Sequence, residues 1–177
     1  MRELGADIRS KVAVDASSKG TCMTVTVRHP TAADEAAWRH LWAGYIDFYH
    51  ADVPEEVTAF TWSRILDPEA PVFALLAEQE GAIVGFAICV VHAGTWSLTG
   101  ICYLEDLFVD PAVRGAGVGR ALLDRLVALC RSRGWTDLYW HTRDTNTAAR
   151  RLYDSYVAVD DHVRYRIELD RPQPAGS

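Results

Sequence analysis

No segment of this chain is apolar for long enough to cross a bilayer. The longest run, Ile83 to Val91, falls far short of the roughly 20 residues a membrane helix needs, and it contains Gly85. The opening MRELGADIRSKVAVDASSKG scatters charges among few apolar residues and lacks the continuous hydrophobic region of an export signal. Cytoplasmic residence without a membrane partner is therefore expected. Cysteine is scarce: Cys22, Cys89, Cys102 and Cys130 are widely spaced, and three of them sit in apolar surroundings that suit small buried thiols, so no disulfide or zinc site is expected. The 6 histidines show no HxxxH or similar ligand spacing, and no metal is expected. Basic charge is short as well. With 18 Lys and Arg against 24 Asp and Glu the formal net charge is -6, and the concentrated basic face needed to grip a polyanion is missing, which argues against a nucleic-acid partner.

What is present is the composition of one globular core, with 49% hydrophobic and 24% charged residues over 177 positions. Residues 1–22, with a Ser-Ser-Lys-Gly cluster and weak helical spacing at Leu4, Ile8 and Val12, read as a mobile extension. A single domain is expected over 23–170, followed by a disordered Pro-rich tail, 171–177. Within the domain, "TVTVR" alternates as a strand, and Thr31 with Asp34 opens a helix running to about His50. A second helix is expected from Pro54 to about Leu66. "VFALLAE" and "AIVGFAICVVH" read as a hairpin turning at Gln79 to Gly81, and "CYLEDLFV" as a further strand. Val118, Leu122, Leu126 and Leu129 recur at helical spacing up to Gly134. "DLYWHT" predicts a strand, Asn146 to about Tyr156 a helix, and "HVRYRIEL" a last strand. The fold class is a mixed α/β layered domain.

The stretch VRGAGVGRALLDR, Val113 to Arg125, places Gly115, Gly117 and Gly119 at the mouth of that long helix. A helix start exposes unpaired N–H groups and the positive end of its dipole, so a Gly-rich turn there makes an anion site. The ATPase phosphate loop, GxxxxGK[ST], is excluded because Arg120 and Ala121 follow Gly119, leaving no lysine and no hydroxyl for magnesium. The dinucleotide pattern GxGxxG fits poorly: the spacing is GxGxG, and Asp137, the acid about twenty residues on, precedes its strand when it should end it.

Arg114, Gly117 and Gly119 instead form the R-x-x-G-x-G pattern, preceded by "YLEDLFVDP" and followed by "NTAARRLY", in which Asn146, Ala149, Leu152 and Tyr153 keep N-x-x-A-x-x-L-Y spacing. In that order these features resemble the GNAT acetyltransferase superfamily over nearly all of residues 24 to 169. The resemblance implies the GNAT fold, a central mixed, mostly antiparallel sheet flanked by helices. It implies that acetyl-coenzyme A is the cofactor, with its pyrophosphate on the amides of the loop from Arg114 through Gly115, Ala116, Gly117, Val118 and Gly119 to Arg120. It also implies that backbone groups of Leu107, Phe108 and Val109 pair with the pantetheine arm like an added strand, and that Asn146 hydrogen-bonds the cofactor.

An amine acceptor with an ordinary pKa of about 10.4 must lose a proton before it can attack. Glu105, which interrupts an apolar stretch beside Asp106, is the candidate general base, and by the resemblance it matches the glutamate of "YLED" in the polyamine and lysine branch. Period-two geometry sends Glu105 and Asp106 to opposite faces unless a bulge intervenes. Tyr153 is the candidate general acid by resemblance. Trp38, Trp42, Tyr45 and Tyr49 recur along one stripe of the first helix; such a stripe is commonly core, yet Trp42, Tyr45 and Tyr49, with Glu105 and Asp106, are the candidate acceptor-binding residues. The resemblance points to a small cationic amine, a polyamine or amino acid, or a lysine-containing peptide as acceptor, and it admits a homodimer. Rival readings are a coenzyme A-binding sensory module without turnover and an acetyltransferase for protein N-termini or antibiotic amines. One departure stands out: Asp161 and His162 occupy the place where the family commonly has Gly-Phe.

Overall fold

The computed structural model describes residues 24–169, so the proposed extension 1–22, with Cys22, and the tail 171–177 lie outside the described residues. Contacts divide the described chain into two compact units, residues 24–142 and 143–169.

Thr31 and Asp34 open the first helix as their spacing predicts. The Asp34 carboxylate accepts the Thr31 backbone N–H at 2.7 Å and its hydroxyl at 2.9 Å. A 3-10 turn, Ala32–Asp34, leads into α1, Glu35–Tyr49, and α2 follows as Glu55–Leu66. Arg28 donates to both Asp34 oxygens at 2.7 and 2.8 Å, and its Nε donates to Glu78 at 3.1 Å. The guanidinium holds the Asp34 carboxyl well below the usual carboxylate range, and the network joins β1, Val25–Arg28, to the helix entry and to β2, Val72–Gln79.

β2 turns through Glu80 and Gly81, both with positive φ, into β3, Ala82–Ala93. β4, Gly100–Val109, runs antiparallel to β3, and α3, Val118–Arg133, carries the chain to β5, Asp137–Trp140, which pairs parallel to β4. The sheet order is β1-β2-β3-β4-β5, antiparallel except at its last pair. α1 and α2 cover one face and α3 the other.

The α1 face holds the larger aromatic core. Trp62, Trp38, Trp42 and Tyr45 stack in succession with centroids 4.9, 5.4 and 5.4 Å apart, above Phe86 and Ile88 of β3. The α1 stripe is thus core over most of its length. On the α3 face Leu122, Leu123 and Leu126 are buried, and so are the free thiols of Cys89, Cys102 and Cys130. Among the described residues no helix is long and apolar enough to cross a membrane.

In the second unit α4 is Thr147–Tyr153, shorter than expected at its C-terminal end. The expected last strand in "HVRYRIEL" does not form. Residues 163–169 have no regular structure, and Val163, Tyr165, Ile167 and Leu169 are exposed. Alternation marks a segment able to sit in a sheet, but a strand is made by the ladder of a neighbour.

Gly85 fixes how closely the start of α3 approaches the sheet. A Cβ there would lie 2.9 Å from the Phe108 carbonyl oxygen and 3.2 Å from Val118 Cγ1. Gly85→Ala is expected to destabilise the fold by about 1–3 kcal/mol, because the β4 backbone and the first residue of α3 must both move. Urea denaturation checks this, and a midpoint unchanged from wild type would contradict the close packing.

Candidate active site

The register of β4 decides where its acidic pair points. Phe108 lies opposite Phe86 and Asp106 opposite Ile88, but Leu104 lies opposite Cys89 and Tyr103 opposite Val90. Residue 105 has no counterpart, so Glu105 is the extra residue of a β-bulge. Paired residues share a face, and neighbouring β3 residues alternate: Phe86 and Ile88 belong to the aromatic core under α1, whereas Gly85 faces Val118 and Leu122 of α3. Leu104 therefore faces α3 with Cys89, while Asp106, only two residues on, faces α1 with Ile88. The bulge is the exception allowed for in the sequence reading. Glu105 is exposed at the switch.

Asp106 is not open in the same way. The Tyr45 hydroxyl donates a short hydrogen bond to its carboxylate. Burial pushes the Asp106 carboxyl up to about 6, the Tyr45 hydrogen bond pulls the other way, and the Glu105 charge adds to the rise. The Tyr45 phenol is driven far above its usual range by burial and by the Asp106 charge. Tyr49 meets Tyr45 edge-on at 4.9 Å. Trp42 is core: it is 9% exposed, its indole N–H donates to Thr58 Oγ1 at 3.1 Å, and it braces Tyr45 from behind.

β4 also parts from β5 at this point. The parallel register ends at Leu104 opposite Trp140, so among the described strands none pairs with the β5-side edge of residues 105–109, which include Leu107, Phe108 and Val109. One carbonyl of that stretch is already used, since Arg114 Nε donates to the Val109 oxygen at 3.1 Å. The Arg114 guanidinium rests 5.5 Å from the Phe108 ring and 5.8 Å from the Phe48 ring, which folds its charge back over the start of the loop.

The loop then winds into α3 through a 3-10 turn, Pro111–Val113. Gly115 and Gly117 take φ of 86° and 84°, the left-handed region that side chains rarely adopt, and a Cβ on either would meet nothing within 4 Å. The backbone is bare and the space above it is open. Ala116 and Arg120 are exposed, Val118 is buried, and no acidic side chain stands in the first turn of α3 to compete for its N–H groups. A loop of this shape suits an anionic ligand.

The sequence profile of the Acetyltransferase (GNAT) family matches residues 35–156. The chain belongs to that family. It is similar to the D-amino-acid N-acetyltransferase of Saccharomyces cerevisiae, 31% identical over 144 residues that make up 80% of this chain and 89% of the relative. It is also similar to the aminoglycoside N(6')-acetyltransferase type 1 of Stenotrophomonas maltophilia, 39% identical over 152 residues, 82% of this chain and 94% of the relative. The solved structure of AAC(6')-Iy in complex with the bisubstrate analogue CoA-S-monomethyl-acetylneamine shares the fold with a TM-score of 0.69 at 18% identity, over 82% of this chain and 99% of that one. This GNAT chain is an acetyl-CoA-dependent N-acetyltransferase acting on amines.

Two expected site residues belong to the second unit. Asn146 is the N-cap of α4, and its side-chain oxygen accepts the Ala149 N–H at 3.3 Å, so that oxygen serves the helix. Tyr153 is the last residue of α4 and is half-buried. On the α1 face of the sheet the sequence reading missed Tyr103, Tyr139, His92 and His141. Period two along "YWH" places Tyr139 beside His141, and Tyr103 stands two residues before Glu105, but with no partner strand assigned the two pairs had no reason to be joined.

Because burial raises the Asp106 pKa above its unfolded value, its contribution to stability is fully present below about pH 4 and is lost as pH rises through about 6. Relative to Asp106→Asn, the wild type is expected to lose on the order of 2 kcal/mol between pH 4 and 7. Urea titrations across that range check the sign, and parallel pH curves for the two proteins would contradict it.

Proposed function

We propose that this GNAT enzyme transfers acetyl from acetyl-CoA to the primary amine of a small cationic molecule, a polyamine or amino acid, or to a lysine side chain, with Glu105 as general base and Tyr153 as general acid. The observation that carries the reading is the bulge, which puts an exposed carboxylate on β4 beside the edge that β5 leaves open. The D-amino-acid and aminoglycoside relatives act, by name, on amines.

The residues present fit the cosubstrate. The loop from Arg114 to Arg120, with two left-handed glycines, open space above them and no competing acid, would hold a diphosphate on backbone N–H groups. The open edge of residues 105–109 would take an extended arm through backbone hydrogen bonds. When bound, acetyl-CoA supplies an acetyl group activated as a thioester. Glu105, directly or through water, removes the proton that keeps the acceptor an ammonium, leaving a lone pair on nitrogen. Tyr153 then returns a proton to the departing sulfur; its support is the N-x-x-A-x-x-L-Y spacing. Tyr45, whose hydroxyl donates to Asp106, shapes the wall beside the base.

A coenzyme A release assay over polyamines, amino acids, lysine peptides and aminoglycosides tests the acceptor class. Turnover is expected with small cationic amines, and turnover confined to aminoglycosides or peptide N-termini would contradict the reading. Glu105→Gln should lower kcat by about 10²-fold or more with little change in acetyl-CoA affinity, and an unchanged kcat would remove Glu105 from the mechanism. Gly117→Asp should weaken acetyl-CoA binding measured by calorimetry. Asp tolerates the left-handed backbone better than most residues, so the loss would report the added carboxylate in the anion site.

A further inference from the structure

Four rings on the α1 face of the sheet take no part in the chemistry above. His92 comes from the end of β3, Tyr103 from β4, Tyr139 from β5, and His141 lies just past β5. Tyr103 and Tyr139 are register partners across the parallel pair, and their rings stack with centroids 4.9 Å apart and planes 28° apart.

The hydrogen bonds give this pair a polarity. His92 Nδ1 lies 3.0 Å from the Ala93 carbonyl oxygen, which can only accept, so Nδ1 carries the proton and Nε2 of the neutral ring is an acceptor. The Tyr139 hydroxyl, 3.1 Å from Nε2, is then the donor. Its oxygen offers lone pairs outward. On the other side His141 Nδ1 lies 3.3 Å from the Tyr103 hydroxyl and meets both tyrosine rings edge-on at 5.5 and 5.9 Å.

The cluster adjoins the proposed base. Tyr103 precedes Glu105 by two residues, roughly 6 Å along a strand, and its partner Val90 packs against the same core as Ile88, the partner of Asp106. Burial and the Glu105 charge both raise the Tyr139 phenol pKa. Two π faces, an oriented phenol oxygen and a carboxylate make a wall of acceptor character, half open to solvent, with Tyr139 39% exposed.

We propose that Tyr103 and Tyr139, braced by His92 and His141, hold a second cationic group of the acceptor while its reacting amine sits at Glu105. The substrate class is then a short linear diamine or polyamine in preference to a monoamine. This inference rests on the acetyl transfer to small cationic amines proposed above, and it adds the specificity-determining residues.

The test compares steady-state coenzyme A release with putrescine and with butylamine. For a half-exposed cation–π contact the wild type is expected to show a KM for putrescine about tenfold lower than for butylamine. Tyr139→Ala and Tyr103→Ala should raise the putrescine KM to the butylamine value, with kcat, the butylamine KM and the acetyl-CoA KM unchanged. Tyr139→Phe keeps the ring and should keep most of the preference, so it guards against a folding defect in the alanine variants. Equal use of the two amines by the wild type, or a preference that survives both alanine substitutions, overturns the inference and leaves the function reading intact. No turnover with any amine overturns the function reading itself, and the inference falls with it.

Discussion

Everything at this site depends on one residue too many in β4. An antiparallel ladder imposes strict alternation, and under it an acidic pair would divide between the two faces of the sheet. With Glu105 bulged out, Leu104 stays in the α3 core while Asp106 and Phe108 turn to the α1 face. At the same position β4 leaves β5, whose parallel pairing stops at Leu104. A change of face and a change of neighbour at one point produce an exposed carboxylate beside a strand edge with unused backbone groups, one turn of chain before the glycine loop. The proposed acetyl transfer draws on that coincidence.

The rest of the first unit keeps the coincidence in place. The Arg28–Asp34–Glu78 network sets where α1 begins, and the stacked series from Trp62 to Tyr45 carries that position along the helix to the Asp106 contact. On the opposite face the bare Gly85 lets α3 settle against the β4 backbone, so the loop and the mouth of the helix lie where β4 ends. Core packing and site geometry are the same constraint seen from two sides. Asp106 illustrates the cost: burying a carboxyl beside another acid raises its pKa, and the Tyr45 hydroxyl offsets part of that penalty.

Much of this was legible in the residues. Thr31 with Asp34, the apolar spacing from Val118 to Leu129 and the stop at Gly134 carry local chemistry, and they located α3 to within a residue and the 3-10 turn that leads into α1, although α1 itself starts only at Glu35. The glycine loop was legible because left-handed backbone leaves few alternatives to glycine at Gly115 and Gly117. What could not be read was whatever depends on a partner strand. The bulge was foreseen as a condition, but its placement needs the β3 register. The pairing of Tyr103 with Tyr139 needs the β4–β5 crossover, formed by residues 36 positions apart. The failed strand at 163–169 makes the same point in reverse: alternation in "HVRYRIEL" is a property of the segment, whereas a strand is a property of two segments. Asn146 caps the start of its own helix with its side-chain oxygen, a local role that the motif spacing does not display.

Amide hydrogen exchange with and without saturating coenzyme A reads the backbone groups of the loop and of the open strand edge themselves. New protection is expected in two stretches, the loop and first turn of α3 from Gly115 to Gly119 and the open β4 edge from Leu107 to Val109, with little change in β1 and β2. Binding of coenzyme A without protection in either stretch, or with protection confined to other parts of the sheet, would contradict this placement.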